Sequence, residues 1–396
     1  MRALRERLGR LFLDPRVAYA APLVLAVLAA LQQLWLDHRS PLPDGHTRHN
    51  NFIIFRQAWV HLVEGKDLYA YFPREYFDNF LYTPTFAALM APLAWPPTWL
   101  GLVLWDLLNA AVLVLGIRAV PGLSSRSRAL FVWFVLPEFL GSAQHSQTNP
   151  MIVGLLLLSF WAAERGKDWL APLLLVMAGY VKIFPIAAGL FLLAYPGRVR
   201  LVLWCAVWAV VLGALPLLVV SPSELAWQYG NWVRLHTTNP QHAGGVGITT
   251  EGILHTWFGL SPPRAAVVAV GAVLTALPLV RVRDFGRFEF RAAFLGLLLM
   301  WMIAFNHLSE SPTFVIAMSG IALWYFTQRA TPLHQALLWI AFALVSVAYS
   351  DLSPTAFRKG VADAYALKGA PVLLTWMVAV AELTLGRSPG PRPTST

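Results

Sequence analysis

Charge is what this chain has least of. Only 13% of its 396 residues are Asp, Glu, Lys or Arg, against 57% hydrophobic residues, and its mean hydropathy is +0.58. A soluble domain carries about twice that charged fraction. A water-soluble fold is therefore excluded, and a polytopic membrane protein is expected. The apolar stretches are continuous rather than alternating, which excludes a β-barrel and makes the spans helical. Cysteine is nearly absent: Cys205 stands alone, so an intrachain disulfide is impossible. No cleavable leader is apparent before the first apolar run, which is long enough to span. Nucleotide-binding loops and a nucleophile elbow are missing, as is an internal repeat of the transporter kind. Compact metal-ligand spacings are missing too, so no metal or other cofactor is expected. A divalent cation on carboxylates has no tight acidic pair to hold it in the first loop.

What charge there is leans positive, with 30 Lys and Arg against 20 Asp and Glu. The arginines sit mostly in short loops beside apolar runs, which is the signature of membrane topology and not of nucleic-acid binding. Arg2, Arg5, Arg7, Arg10 and Arg16 precede the first span, so the N-terminus is expected in the cytoplasm. Apolar runs fall near 17–36, 84–97, 99–118, 129–142, 149–164, 169–195, 200–220, 263–281, 291–306, 312–327, 333–349 and 369–386. They imply roughly eleven to thirteen crossings. The run 169–195 reads as a broken helix or a tight hairpin. The basic clusters Arg126/Arg128, Arg165/Lys167, Arg198/Arg200 and Arg281/Arg283/Arg287 all point to the cytoplasm, which requires one re-entrant segment. Residues 1–386 read as one transmembrane domain, with a disordered Pro/Ser/Thr-rich tail at 387–396. Most of the 17 tryptophans fit an interfacial belt.

Against this background one polar island stands out, from Asp37 to Pro84. It holds six of the acidic residues (Asp37, Asp44, Glu64, Asp67, Glu75, Asp78) and four histidines (His38, His46, His49, His61). Phe52, Phe55, Trp59 and Leu62 recur at helical spacing before Gly65, which predicts an amphipathic helix in the membrane interface over 51–64. Asn50 or Asn51 is the expected cap. A second long polar loop, 221–262, is expected on the same face, completing a cavity.

The stretches NNFIIFRQAWVHLVEGKDLY and YTPTFAALMAPLAWPPTWLGLVLWDLLNA resemble the polytopic glycosyltransferases of family 87, the DUF2029 group. That family includes polyprenyl-phosphomannose-dependent α-1,2-mannosyltransferases. Two later stretches extend the resemblance: a Gln-x-Asn helix from Gln147 followed by Lys182-x-x-Pro185, and a Ser-Pro motif at Ser311–Pro312. The resemblance implies a GT-C fold in a bacterial plasma membrane, with an extracytoplasmic active site built largely by the first loop. It also implies an inverting hexosyl transfer, possibly of mannose, from a polyprenyl-phosphate donor to an envelope glycan or glycolipid. The family's usual acidic residue at the start of the first-loop helix is replaced here by Asn51. The late motif departs as well, with His307 before Ser-Pro and Glu310 within it. Two other readings stay open: a transporter or flippase of lipid-linked sugars, and an inactive carrier-binding scaffold.

Hydroxyl attack on an anomeric carbon needs a base within hydrogen-bond reach and donors on the leaving phosphate. Asp78 is the first candidate base; Asp44 is weaker. Glu310 is expected to be buried, with His307 one helical turn away as its partner. Lys182, in an apolar run, suits the donor phosphate; the alternative is snorkelling to the interface. Gln144, His145, Gln147 and Asn149 at a helix start suit sugar or phosphate contacts, or capping. Arg56, Arg234 and His242 complete the candidate donors, with His236 and Glu251 beside Trp232 and Trp257. Asp67 fits either the site or a loop-fixing turn. Asp106, Asn109 and Glu138 suit interhelical contacts.

Overall fold

The computed structural model describes residues 9, 11–42, 45–238, 247–387 and 390. Asp44, His242 and nearly all of the tail lie outside them. The described chain is 74% helical and has no strands, in line with the continuous apolar runs. Helix α1 is Pro15–Arg39, α2 Asn50–Val63, α3 Pro84–Leu89, α4 Thr98–Ala119, α5 Ser125–Ala143, α6 Asn149–Glu164 and α7 Leu170–Val181. There follow α8 Arg198–Gly213, α9 Pro222–Thr238, α10 Thr250–Phe258, α11 Arg264–Ala276, α12 Phe288–Ala304, α13 Phe314–Phe326, α14 Pro332–Ala341 and α15 Ala370–Leu385. Among the described residues, three segments are long and apolar enough to cross a membrane: α1, α4 and α8 continued to Leu218; the other apolar helices are shorter.

Local chemistry starts these helices. Asp14 accepts from the Arg16 amide at 2.8 Å ahead of Pro15. Thr83 accepts from the Phe86 amide ahead of Pro84. Ser124 does the same for Ser127. Each pairs a hydroxyl or carboxylate cap with first-turn amides that have no partner inside the helix. The expected cap at Asn50 or Asn51 is not used. His49 occupies that position without a side-chain bond, because both asparagine side chains are engaged elsewhere.

Packing is set by small residues. A Cβ on Gly154 would lie 2.2 Å from the Val112 carbonyl oxygen, and one on Gly116 would lie 2.8 Å from the Gly154 Cα. Helices α4 and α6 therefore meet backbone to backbone. Gly296 of α12 and Gly320 of α13 make a second such crossing, with Cβ positions 2.7 and 2.6 Å from the facing carbonyls. Close approach through glycine maximises van der Waals contact where no hydrophobic force acts between helices.

Two apolar runs behave differently from full spans. The run 84–97 forms only α3 and a four-residue turn of helix, Ala91–Ala94. The run 169–195 breaks at Lys182: α7 ends at Val181, and a 3-10 helix, Phe184–Ala194, folds back along it. Gly179 faces Ile186 and Gly189 faces Leu175 across that hairpin. The second polar loop is largely helical, being α9 and α10 rather than open chain.

One end of the bundle collects the basic loops. Arg291 grips Glu164 through two nitrogens at 2.6 and 2.8 Å, and Tyr195 donates to the same carboxylate. Arg281 reaches Asp284 and lies against Gly386. The first loop, α9 and the connection at 305–311 occupy the other end.

Candidate active site

The first loop is clamped onto the non-basic end by named polar contacts. Asn50 accepts from the Phe77 amide at 3.0 Å and donates to the Phe77 carbonyl at 2.6 Å. Gln57 and His61 both reach Glu75 Oε2, at 2.8 and 3.0 Å. Asp37 accepts from Arg48 at 3.0 Å and lies 2.9 Å from His49. Burial pushes the His61 and His49 imidazoles below their ordinary value, and overcomes the opposite pull of Glu75 and Asp37. Gln228 of α9 donates to the Lys66 carbonyl and accepts from the Leu68 amide. The second loop thus packs on the first. Beneath α2, Phe55 meets Tyr82, Phe86 and Trp105 edge-on at 4.8, 5.2 and 5.5 Å. This aromatic layer is what the helical spacing of Phe52, Phe55 and Trp59 encodes.

Under that layer lies a cation. Lys182 begins the break after α7, half-buried. Its ammonium donates to Asn149 Oδ1 at 3.1 Å and to Gln147 Oε1 at 3.3 Å. It lies 5.6 Å from the Tyr82 ring centroid, a cation–π contact. Asn149 in turn donates to the Pro312 carbonyl at 3.1 Å. Glu310 lies within electrostatic range of Lys182, and Glu310 and Asp78 lie within range of the Tyr82 hydroxyl. With Glu310 and Asp78 in that range, three sequence candidates, Gln147, Asn149 and Lys182, are thus in direct contact beside Tyr82, a residue not singled out as a site candidate in the sequence. Its signal was its place: an aromatic between the island and a helix-starting Thr-Pro.

Other candidates fall elsewhere. Gln144 and His145 close α5 instead of opening α6, and Gln144 binds Gln32 of α1 at 2.9 Å. Only Gln147 and Asn149 of that group reach Lys182. Asn51 donates to the His145 carbonyl at 2.8 Å. Asp67 accepts from the Tyr69 amide at 3.0 Å, a turn-fixing role. Glu310 is exposed, not buried, and residues 305–310 are not helical; the helical-turn pairing with His307 is thus corrected, because α12 stops at Ala304. Arg56 is half-buried with its Nε unpaired. Arg234 is exposed on α9, the His236 ring bonds the Trp232 carbonyl, and Glu251 pairs with Arg264. Glu138 pairs with Lys368, which lies in the connection before α15 and not on a facing helix. Asn109 accepts from the Met151 amide of α6, and Asp106 is buried with Oδ2 unpaired. Among the described residues, no group of three or more His, Cys, Asp or Glu is placed to hold a metal ion.

Asp78 is exposed at the rim with φ +84°. That is the left-handed region, uncommon for any residue with a Cβ and best tolerated by Asn and Asp. Its Oδ1 accepts from the Asn79 amide at 2.8 Å.

The cation, its amide partners and the aromatic beside them lie within one matched stretch: the sequence model of glycosyltransferase family 87 matches residues 80–304, more than half of the chain. The chain belongs to glycosyltransferase family 87. It is accordingly a glycosyltransferase, acting on a sugar donor and an acceptor. The family 87 match takes in Tyr82, Gln147, Asn149 and Lys182. Asn51, Asp78 and the Glu310–Pro312 segment lie outside it. No curated protein matches the chain.

Proposed function

We propose that this family 87 member moves a hexose from a polyprenyl-phosphate carrier to an envelope glycan or glycolipid, within a polytopic bundle in a bacterial plasma membrane. In this reading the basic end of the bundle faces the cytoplasm, and the first loop with the Lys182 centre faces outward. Residues 84–97 are the re-entrant segment, because α3 and its continuation are too short to cross. The fold is of the GT-C kind.

The observation that carries the reading is Lys182 itself. An ammonium at membrane depth is expensive unless it serves a polar partner. Gln147 and Asn149 take two of its three N–H donors, and the third is available to a phosphate oxygen. Beside it lies an apolar cavity of about 200 Å³, lined by Phe86, Met90, Trp105, Met151, Met177 and Val181 among others. Val181 is the residue before Lys182, and Phe86 stacks on Tyr82 at 4.8 Å. A cation joined to a greasy cleft suits a lipid phosphate, with the anion at Lys182 and the first isoprene units in the cleft.

The reaction is a single displacement. The acceptor oxygen bonds to the anomeric carbon as the carbon–phosphate oxygen bond breaks, so the anomeric configuration inverts. Asp78 receives the hydroxyl proton, and polyprenyl phosphate departs carrying charge that Lys182 stabilises. Asn51 has no base role here, since its amide is committed to His145.

Purified protein in nanodiscs, given radiolabelled polyprenyl-phosphate sugars and envelope lipid extract, should release polyprenyl phosphate and label the acceptor with inverted configuration. Asp78→Asn keeps a residue that tolerates the left-handed backbone, so its loss of about 10²–10⁴-fold reads the carboxylate alone. If no donor is turned over while vesicles show lipid-linked sugar crossing the bilayer, the transferase reading fails.

A further inference from the structure

One buried cation lies outside everything assigned so far. Lys368, in the connection before α15, is 2% exposed. Its ammonium lies 3.0 Å from Glu138 Oε2 of α5 and within 5.2 Å of the ring centres of Phe314 and Tyr349. A charge so enclosed is tolerable only when paired, and Glu138 pairs it. Pairing alone does not account for a third contact: the same ammonium donates to Ser311 Oγ at 2.6 Å.

Ser311 stands between Glu310 and Pro312 in the segment that borders the Lys182 centre. The Pro312 carbonyl accepts from Asn149 Nδ2. A carboxamide has its donor on one side and its acceptor on the other, so this bond turns Asn149 Oδ1 toward Lys182. An unbroken polar path therefore runs from Glu138 through Lys368, Ser311–Pro312 and Asn149 to Lys182.

We propose that Lys368 is a positioning residue for the Lys182 centre. Through Ser311 it pins the Glu310–Pro312 segment, and this sets the Asn149 amide and the direction of the Lys182 ammonium. Lys368 touches no substrate, and Glu138 neutralises its charge. The effect on rate rests on the proposed function; the effect on Lys182 does not.

Ser311→Ala cuts the path while leaving Lys368 on Glu138, and Ser311→Thr restores a hydroxyl. Two readouts separate the ideas. The first is acylation of Lys182 by an amine-reactive ester at fixed pH, quantified by peptide mass spectrometry. The second is transfer kinetics. Ser311→Ala should label Lys182 several-fold faster, because its ammonium loses a fixed acceptor. Its kcat should fall about ten- to a hundredfold at an unchanged melting temperature. Ser311→Thr should return both readouts toward wild type. Wild-type labelling and kcat in Ser311→Ala would overturn the proposal, as would losses that follow the melting temperature. If labelling shifts and reverts but the wild type turns over no donor, positioning stands and the transferase reading falls.

Discussion

An ammonium with two amide acceptors and a phenol ring around it still has one N–H to give. In the proposed reaction that residual donor is what Lys182 offers the leaving phosphate. Lys182→Met should lower transfer by about 10²–10³-fold, the usual loss when a transition-state charge partner is removed. Lys182→Arg should recover only part, since a planar fork does not replace a point charge held between Asn149 and Gln147. Radiochemical initial rates at saturating donor measure both. Lys182 was legible in the sequence because a lone lysine in VMAGYVKIFPIA has no reason to be there except function or snorkelling. Lys368 was less legible: it lies in a polar connection, where a lysine looks solvated, and only the fold buries it. Glu310 misled in the opposite direction. It stands between Phe305 and the apolar run 313–327, yet α12 stops six residues earlier and leaves the carboxylate exposed.

At the scale of elements, the first loop is a clasp whose strength depends on neutral histidines. Burial lowers His61 and His49 below their ordinary value of about 6.5, so the unfolded chain takes up protons more readily than the folded one. Stability is then full above about pH 6.5 and falls as the pH drops from there toward the depressed folded values. Melting curves from pH 7.5 to 5 should show this decline, and His61→Gln should flatten it. An unchanged melting temperature across that range would remove the clasp from the account. Helix α2 was legible from its spacing because its aromatic face does what the periodicity says, whereas its cap was not: Asn50 is drawn to the Phe77 backbone. The glycine crossings were not legible either, since contact between α4 and α6 is a tertiary fact. Gly154→Ala should cost about 1–3 kcal/mol in detergent unfolding, because Val112 O is backbone and cannot yield. Gly141→Ala, with open space around it, should cost nearly nothing.

At the scale of the whole molecule, the basic clusters and the polar loops fall at opposite ends of one helical bundle. The composition made a helical membrane protein legible, and the length of 169–195 its break, but the path of 84–97 was not. Runs 84–97 and 169–195 are both apolar strings, but only the second is long enough to read as a hairpin. One becomes two short helices and the other a hairpin, because Pro92, Pro96 and Pro97 interrupt the first, while Lys182 and Pro185 break the second. Phe86, Met90 and Leu93 of the first and Met177 and Val181 of the second line the cleft beside Lys182, together with residues of α4 and α6. In the proposed site a lipid phosphate lies at Lys182 with its chain in the cleft. The direct measurement is photo-crosslinking with a polyprenyl-phosphate analogue bearing a diazirine in its first isoprene units, followed by peptide mapping in nanodiscs. The account expects adducts on peptides containing Met90, Met151 and Met177, competed away by unlabelled polyprenyl phosphate. Adducts confined to the lipid-exposed face of α8, insensitive to competitor, would contradict it.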